Sequence, residues 1–447
     1  LFFIKGGTSP WLMMVTISLS ISLVERILNP QRHFIRVPQI TWPLIMFIVV
    51  ALITAKLNGG IGLHSLGSDV YGGKKYIVFF IGIASYFALT ARRIPPEKAH
   101  LYTAIFFLGG TTSFIGDLYP ITPGPLHAIF LFFPPAGYAK DVVELGVTRL
   151  GGIASAANMV YLAMICRYGL RRIFLGGKLW RPAVLVSMIF VTLYGGFRST
   201  ILMEVMVFVI VFFSEGLHRT KLLPLFFFIG AFMFALALPL AHRLPYTFQR
   251  ALAFLPLNLD TAAVMDANNS TEWRFQMWSA LLPQIPSHLL IGKGYAIRPE
   301  DFNEMMGPGA TFKAIDPGQQ SLALSNDYHN GMISIVMAFG IWGVIVFVWF
   351  AVAGWKIMHR NMKYGRPELY TTNVVLFALY SYMALSYFSC LGGLQFAGDV
   401  AYFCGYLGLS IALNHGVASR PQQVEPQPIP QPTIPRSPRV PLRPALT

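Results

Sequence analysis

Residues Met332–Trp355 read MISIVMAFGIWGVIVFVWFAVAGW, a run without a single charge, and Asp327-Tyr328-His329-Asn330-Gly331 leads directly into it. A helix needs about 20 apolar residues to cross the ~30 Å hydrocarbon core of a bilayer, so this run is long enough to span one. His329 is thereby fixed where a solvated segment enters the membrane. Upstream, from about His242 to Asn330, the chain carries a polar island that interrupts an otherwise apolar pattern.

Working outward, comparable apolar runs recur along the chain. Of its 447 residues 55% are hydrophobic and 12% charged, with a mean hydropathy of +0.56. A soluble protein carries about a quarter charged residues. The runs are too long, and too poorly separated by turn chemistry, for the buried strands of a soluble α/β enzyme. The expected fold is all-α, a polytopic transmembrane helical bundle with a largely helical outer loop. Eleven spans are expected at about 11–28, 41–56, 75–91, 99–116, 151–169, 183–197, 200–214, 222–241, 332–355, 370–391 and 395–414. Leu1-Phe2-Phe3-Ile4-Lys5 reads as the end of a helix, so a twelfth span is expected ahead of it. The run Leu126–Pro135 is too short to span and, with prolines on both sides, reads as interfacial or re-entrant.

The net charge of +15 does not point to nucleic acid, because the basic residues sit in short loops between apolar runs. One set of loops holds Arg32/Arg36, Arg92/Arg93/Lys98, Arg167 to Arg181, Arg219/Lys221 and Lys356 to Arg366. The alternate set, comprising 57–74, 117–150, the turn at 195–199, the island and 392–394, is poorer in Lys and Arg for its length. Positive loops stay in the cytoplasm, so the second set faces outward, to the periplasm of a bacterium. The expected organisation is N-terminal spans over 1–241, a periplasmic loop over 242–331, C-terminal spans over 332–415 and a disordered cytoplasmic Pro-rich tail over 416–447. Cys166, Cys390 and Cys404 all lie in or beside apolar runs, which argues against a disulfide framework or a Cys-based zinc site.

Three outer residues are candidates for chemistry. Arg198 lies in the turn Gly195-Gly196-Phe197-Arg198-Ser199-Thr200, on the side where positive charge is least expected. Its guanidinium suits bidentate phosphate binding, or else simply snorkels from a helix end. Arg274 lies between Trp273 and Trp278, whose spacing fits an interfacial helix. It is a second phosphate candidate, or the partner of Glu272 or a neighbouring carboxylate. His329 begins a helix if Asn330 or Asp327 caps it. A helix N-terminus disfavours imidazolium, so the ring can be a neutral base, while Asp327 pushes the other way. The competing role is a structural or capping histidine. The outer histidines His64, His127, His242 and His288 show no carboxylate pairing that would make a metal site. No Walker sequence and no Gly-x-Ser-x-Gly elbow is present.

Two segments carry a resemblance: Trp273-Arg274-Phe275-Gln276-Met277-Trp278 followed by Pro286 and Gly292-Lys293-Gly294, and His329-Asn330-Gly331-Met332 followed by Gly340-Ile341-Trp342-Gly343. With Arg198 in its upstream turn, these resemble the O-antigen ligase and O-antigen polymerase superfamily over about residues 195–345. Lys293 departs from the pattern, which more often has an apolar residue there. The resemblance implies inverting glycosyl transfer from a polyprenyl-diphosphate-linked glycan at the periplasmic face of the bacterial inner membrane. It implies no nucleotide sugar, no cofactor and no essential metal. The acceptor hydroxyl then belongs to another glycan, a lipid A core or a protein. His329 becomes the expected base and Arg198 and Arg274 the expected diphosphate contacts. Asp327, Tyr328 and Asn330 are expected to support His329, with Trp273 and Trp278 as lipid or sugar-stacking surfaces. Gly340 and Gly343 read as positions of close helix packing. The competing classes are a transporter or flippase of lipid-linked glycans and a structural envelope protein. The first is disfavoured by the absence of visible inverted repeats or paired broken helices.

Overall fold

The computed structural model describes residues 10–62, 72–133, 149–297, 326–389 and 396–420. Helix makes up ~79% of it and no strand occurs among the described residues, so the all-α expectation holds. The helices are α1 (Pro10–Leu28), α2 (Pro38–Leu57), α3 (Gly73–Thr90), α4 (Ala99–Leu108), α5 (Gly151–Phe174), α6 (Trp180–Thr192) and α7 (Arg198–Ser214). They continue with α8 (Leu222–Leu240), α9 (Tyr246–Ala251), α10 (Thr261–Leu281), α11 (Gly331–Tyr364), α12 (Tyr370–Ser389) and α13 (Phe396–Leu413). Six helices among the described residues are long and apolar enough to cross a membrane: α1, α2, α5, the helix beginning at Leu222, α11 and α13. The residues expected to form the outer turn 392–394, most of the Pro-rich tail, His64, Cys390 and the start of the chain lie outside the described residues.

Connecting segments gather at two opposite ends of the bundle. At one end, the Asn58 amide after α2 donates to Gly292 O, the Tyr76 hydroxyl of α3 accepts from Tyr295 N, and Tyr382 of α12 donates to Ser199 O. At the other, Tyr370 donates to Ser214 O, Thr372 to Cys166 O, and Asn361 to Ser410 Oγ. Among the described residues, parts of the charge-poor loops 57–74, 195–199 and 242–331 lie at the first end, and residues beside the charge-rich loops at the second. The described part of the island is thus drawn to the ends of α2, α3, α7 and α12.

The interior is aromatic. Phe47 of α2, Phe79 of α3, Phe339 and Phe347 of α11, Tyr387 of α12, and Phe396 and Phe403 of α13 interlock with ring centroids 5.1–6.1 Å apart. Without water to expel, such van der Waals packing is what holds membrane helices together. Small residues permit the closest approaches: Gly82 of α3 lies against Ala401 and Gly408 of α13 against Leu89. On the outside, Phe227, Phe228 and Phe232 of α8 and Ile17, Ile21 and Val24 of α1 are exposed, an apolar surface that suits lipid and not water.

Two expectations change. The fourth expected span, 99–116, is α-helical over Ala99–Leu108 and again over Phe114–Asp117. Between them Gly109–Ser113 tightens into a 3₁₀ turn, where the Thr111 and Thr112 hydroxyls bond back to Leu108 O and Gly109 O. Glycine and hydroxyl side chains that compete for backbone groups weaken an α-helix there. Helices α5 and α11, moreover, are both broken by a glycine, at Gly169 and Gly340. Glu215 bridges the first break, accepting from Arg171 N at 2.6 Å and Thr371 Oγ1 at 3.1 Å.

Candidate active site

Helix α10 is capped by Asp260, whose carboxylate accepts from Ala262 N. Trp273, Met277 and Leu281, four residues apart, form one buried stripe on α10. The stripe packs on Tyr328, Ile333 and Met337, the turn and first segment of α11. Trp278 Nε1 donates to Tyr328 O at 2.8 Å, and the Trp273 ring stands edge-on to the His329 ring with centroids 5.0 Å apart. Both tryptophans therefore hold the His329 turn, Trp273 buried and Trp278 half-buried.

The turn itself is irregular. Asn326 and His329 both have positive φ, +55° and +48°. A non-glycine side chain in this region is uncommon and costs about 1–3 kcal/mol unless its surroundings enforce it. Here they do. Asn326 Nδ2 donates to Gly294 O, and its Oδ1 accepts from the Tyr328 hydroxyl. Asn330, with extended backbone, accepts from Ile333 N at 3.0 Å and caps α11. Of the two capping candidates, Asn330 takes the role, leaving Asp327 to face the imidazole.

The turn is anchored to the Gly340 break. Gly340 has φ 65° and ψ −161°, a conformation open essentially to glycine alone. The break exposes the Met337 and Ala338 carbonyls, which accept from Lys293 N at 2.8 Å and Gly294 N at 3.0 Å. Ile341 N, freed in turn, donates to Leu289 O at 2.7 Å. Gly292 packs against the backbone of Ala338 and Phe339, where a side chain has no room. Gly-x-Gly and Gly340 are thus two halves of one joint. Gly340 does more than allow close packing: it opens the helix that the island docks into.

At this joint the charged groups converge. His329 is mostly buried, with 13% of its side chain exposed, and its Nε2 lies 4.0 Å from Asp327 Oδ1. That is an ion-pair separation and too long for a hydrogen bond. Burial lowers the His329 pKa below the usual imidazole value; the Asp327 carboxylate opposes this and the Arg274 guanidinium reinforces it. The ring is therefore neutral near pH 7, by burial first. Its Nδ1 and both Asp327 oxygens are buried without hydrogen-bond partners among the described residues.

Arg198 is the first residue of α7, and its Nη2 donates to Ala267 O and Thr271 Oγ1, both at 3.1 Å. Thr271 and Arg274 are one turn apart on α10, so both arginines meet the same helix. The 195–199 turn is fixed by two more arginines. Arg149 lies over the Phe197 ring and donates to Gly195 O, while Arg250 pairs with Asp266 at 2.6 Å and donates to Gly196 O.

Two cations escaped the sequence reading of the site. Lys75, near the start of α3, lies with its Nζ 5.9 Å from the Tyr295 ring centroid and within electrostatic reach of Asp327 and Lys293. Lys293 Nζ lies 5.7 Å from the Tyr328 ring centroid. The signal for Lys75 was present in Gly72-Gly73-Lys74-Lys75, a positive charge at an outer helix end of the kind that singled out Arg198. Lys293 was visible as the departure in Gly-x-Gly.

A search of curated proteins returns no match. A family model described as O-Antigen ligase matches residues 183–348, the segment that runs from α6 through the island and into α11. That segment contains Arg198, Arg274, the Gly-x-Gly joint and His329. Over these residues the chain is similar to the O-antigen ligase family, and the match supports the resemblance read from its motifs.

Proposed function

We propose that the protein transfers a glycan from a polyprenyl-diphosphate carrier to an acceptor hydroxyl, with His329 as the base and Arg198 and Arg274 as the diphosphate contacts. The family match supports a membrane glycan ligase or polymerase role in polysaccharide assembly. The observation that carries the finer reading is a buried, neutral imidazole set between a carboxylate and a cluster of cations at one end of an apolar bundle.

In this reading the imidazole takes the proton of the acceptor hydroxyl. The acceptor oxygen forms a bond to the anomeric carbon, and the bond from that carbon to the phosphate oxygen breaks on the opposite face, inverting the configuration. The leaving polyprenyl diphosphate keeps the electron pair. Arg198 and Arg274, with Lys75 and Lys293 nearby, stabilise the charge it gains. Asp327 stabilises the imidazolium formed. No nucleotide sugar or cofactor enters, because the diphosphate already activates the donor. The end of the bundle that holds His329 faces the periplasm, where the acceptor is a glycan, a lipid A core or a protein hydroxyl.

The test is His329→Ala and Arg274→Ala expressed in a strain lacking the gene. Loss of surface-glycan assembly by correctly inserted protein is expected, and full assembly by both variants refutes the assignment. The breaks at Gly169 and Gly340 favour a second reading, a transporter of lipid-linked glycans, since broken helices line many transport sites. Membrane vesicles that translocate the glycan without forming a glycosidic bond would establish it.

A further inference from the structure

The bundle end opposite His329 holds a cavity of about 450 Å³, lined by His33, Phe34, Ile35, Arg36, Arg93, His415 and Gly416. This volume lies in the range of small-molecule sites, about 300–1,000 Å³. Its walls come from three segments distant in sequence: the α1–α2 connection, the α3–α4 connection and the chain after α13. They are fixed by backbone bonds, Ile35 N to Thr90 O at 2.9 Å and Ile94 N to Ala412 O at 3.1 Å. His415 is spent on this framework. One ring nitrogen meets Ile94 O at 2.8 Å and the other meets Arg366 Nη2 at 2.9 Å.

The charge at the rim is uneven. Glu25 pairs with both Arg32 and Arg92. Arg36 and Arg93, the next arginines along each connection, have no carboxylate within ion-pair distance among the described residues, Glu97 included. A general excess of positive charge on one side of a membrane needs no convergence, but here two uncompensated guanidiniums are brought to one cavity over an apolar floor of Phe34 and Ile35. We propose that this cavity binds an anionic phosphate group, as carried by a phospholipid headgroup or by a soluble phosphate. Placement favours the lipid. Helix α2 has 20 residues and so runs about 30 Å from the cavity to Asn58 at the His329 end, one bilayer core away. The exposed Ile17, Ile21 and Val24 of α1 offer acyl chains an apolar flank.

The purified full chain is titrated in phosphatidylcholine nanodiscs with phosphatidylglycerol, and separately in detergent with inorganic phosphate. Bound lipid is read by native mass spectrometry and phosphate by calorimetry. Arg36→Gln with Arg93→Gln should weaken phosphatidylglycerol binding about 30-fold, at about 1 kcal/mol per basic residue. Arg360→Gln with Lys363→Gln, which removes two exposed charges from the same end, should change it little. Arg36→Lys with Arg93→Lys should retain most of the binding, and thermal unfolding checks that each variant is folded. Saturable phosphate binding that is lost in the Gln pair, without a preference for phosphatidylglycerol, assigns the same site to a soluble ligand. Equal losses in the two Gln pairs, or unchanged binding of both probes in the Arg36/Arg93 variant, overturns the proposal. His329→Ala leaves this result untouched, so it stands or falls apart from the catalytic reading.

Discussion

Replacing Gly340 by Ala tests whether the broken helix, and not the apolar run alone, builds the site. A Cβ at this position would lie 2.8 Å from Leu289 O, 2.9 Å from Leu290 O and 3.1 Å from Gly292 N. All three are backbone atoms and cannot swing aside. Holding a non-glycine residue at φ 65° and ψ −161° costs about 1–3 kcal/mol before any clash is counted. The escape is for α11 to straighten. That breaks the bonds of Lys293 N, Gly294 N and Ile341 N, each worth about 1 kcal/mol net. Either route costs on the order of 3–5 kcal/mol, a large part of the ~5–15 kcal/mol that holds a typical domain folded. Straightening also withdraws Gly294 O from Asn326, and with it one tie on the His329 turn. Thermal unfolding of detergent-solubilised protein and glycan assembly in the deletion strain should both fall sharply. Gly230→Ala in α8 is the control: nothing lies within 4 Å of its Cβ, and alanine is the better helix former, so stability should hold or rise slightly. An active Gly340→Ala protein that unfolds at the wild-type temperature would show that the joint is not structural and refute this account.

Other outcomes follow from the same geometry. His329→Asn, which tolerates the positive φ, should keep the fold and lower turnover by roughly 100- to 10,000-fold, measured with purified donor and acceptor. The acid limb of the pH–rate profile should lie below the free imidazole value of 6.5, because burial and Arg274 disfavour the protonated ring. Asp327 favours that ring, so Asp327→Asn should move the limb to lower pH, and an upward shift would contradict the assigned charges. Arg274→Lys should recover only part of the activity lost in Arg274→Ala, since an ammonium cannot reproduce a bidentate phosphate contact; equal activity of Lys and Arg would argue for a bare charge. Asn330→Ala should cost about 0.5–2 kcal/mol in unfolding free energy, with Asn330→Ser restoring most of it.

The bundle was legible because hydropathy is a property of each segment by itself. The run Met332–Trp355 announces a span whatever surrounds it, and loop charge divided the connections into two sets, whose described members the contacts bring to two ends. His329, Arg198 and Arg274 were legible for a related reason: a polar or charged side chain at the edge of hydrocarbon is costly, so each stood out.

Three things depended on tertiary structure. The break at Gly340 is invisible in an unbroken apolar run, because glycine is compatible with a continuous helix. Only the arrival of Lys293 and Gly294, which donate to the freed carbonyls, and of Leu289, which accepts from Ile341 N, from about 50 residues upstream satisfies the break. The contacts of Trp273 and Trp278 with the His329 turn were equally hidden, since an amphipathic ring reads alike whether it faces lipid or a neighbouring turn. Lys75 joins the site from α3, over 200 residues away, through a contact that no local pattern encodes. Sequence by itself determined which segments leave water and which side chains resist doing so. The fold decided which of those side chains come together at one joint, because backbone groups left unpaired in an apolar medium must find partners wherever the chain brings them.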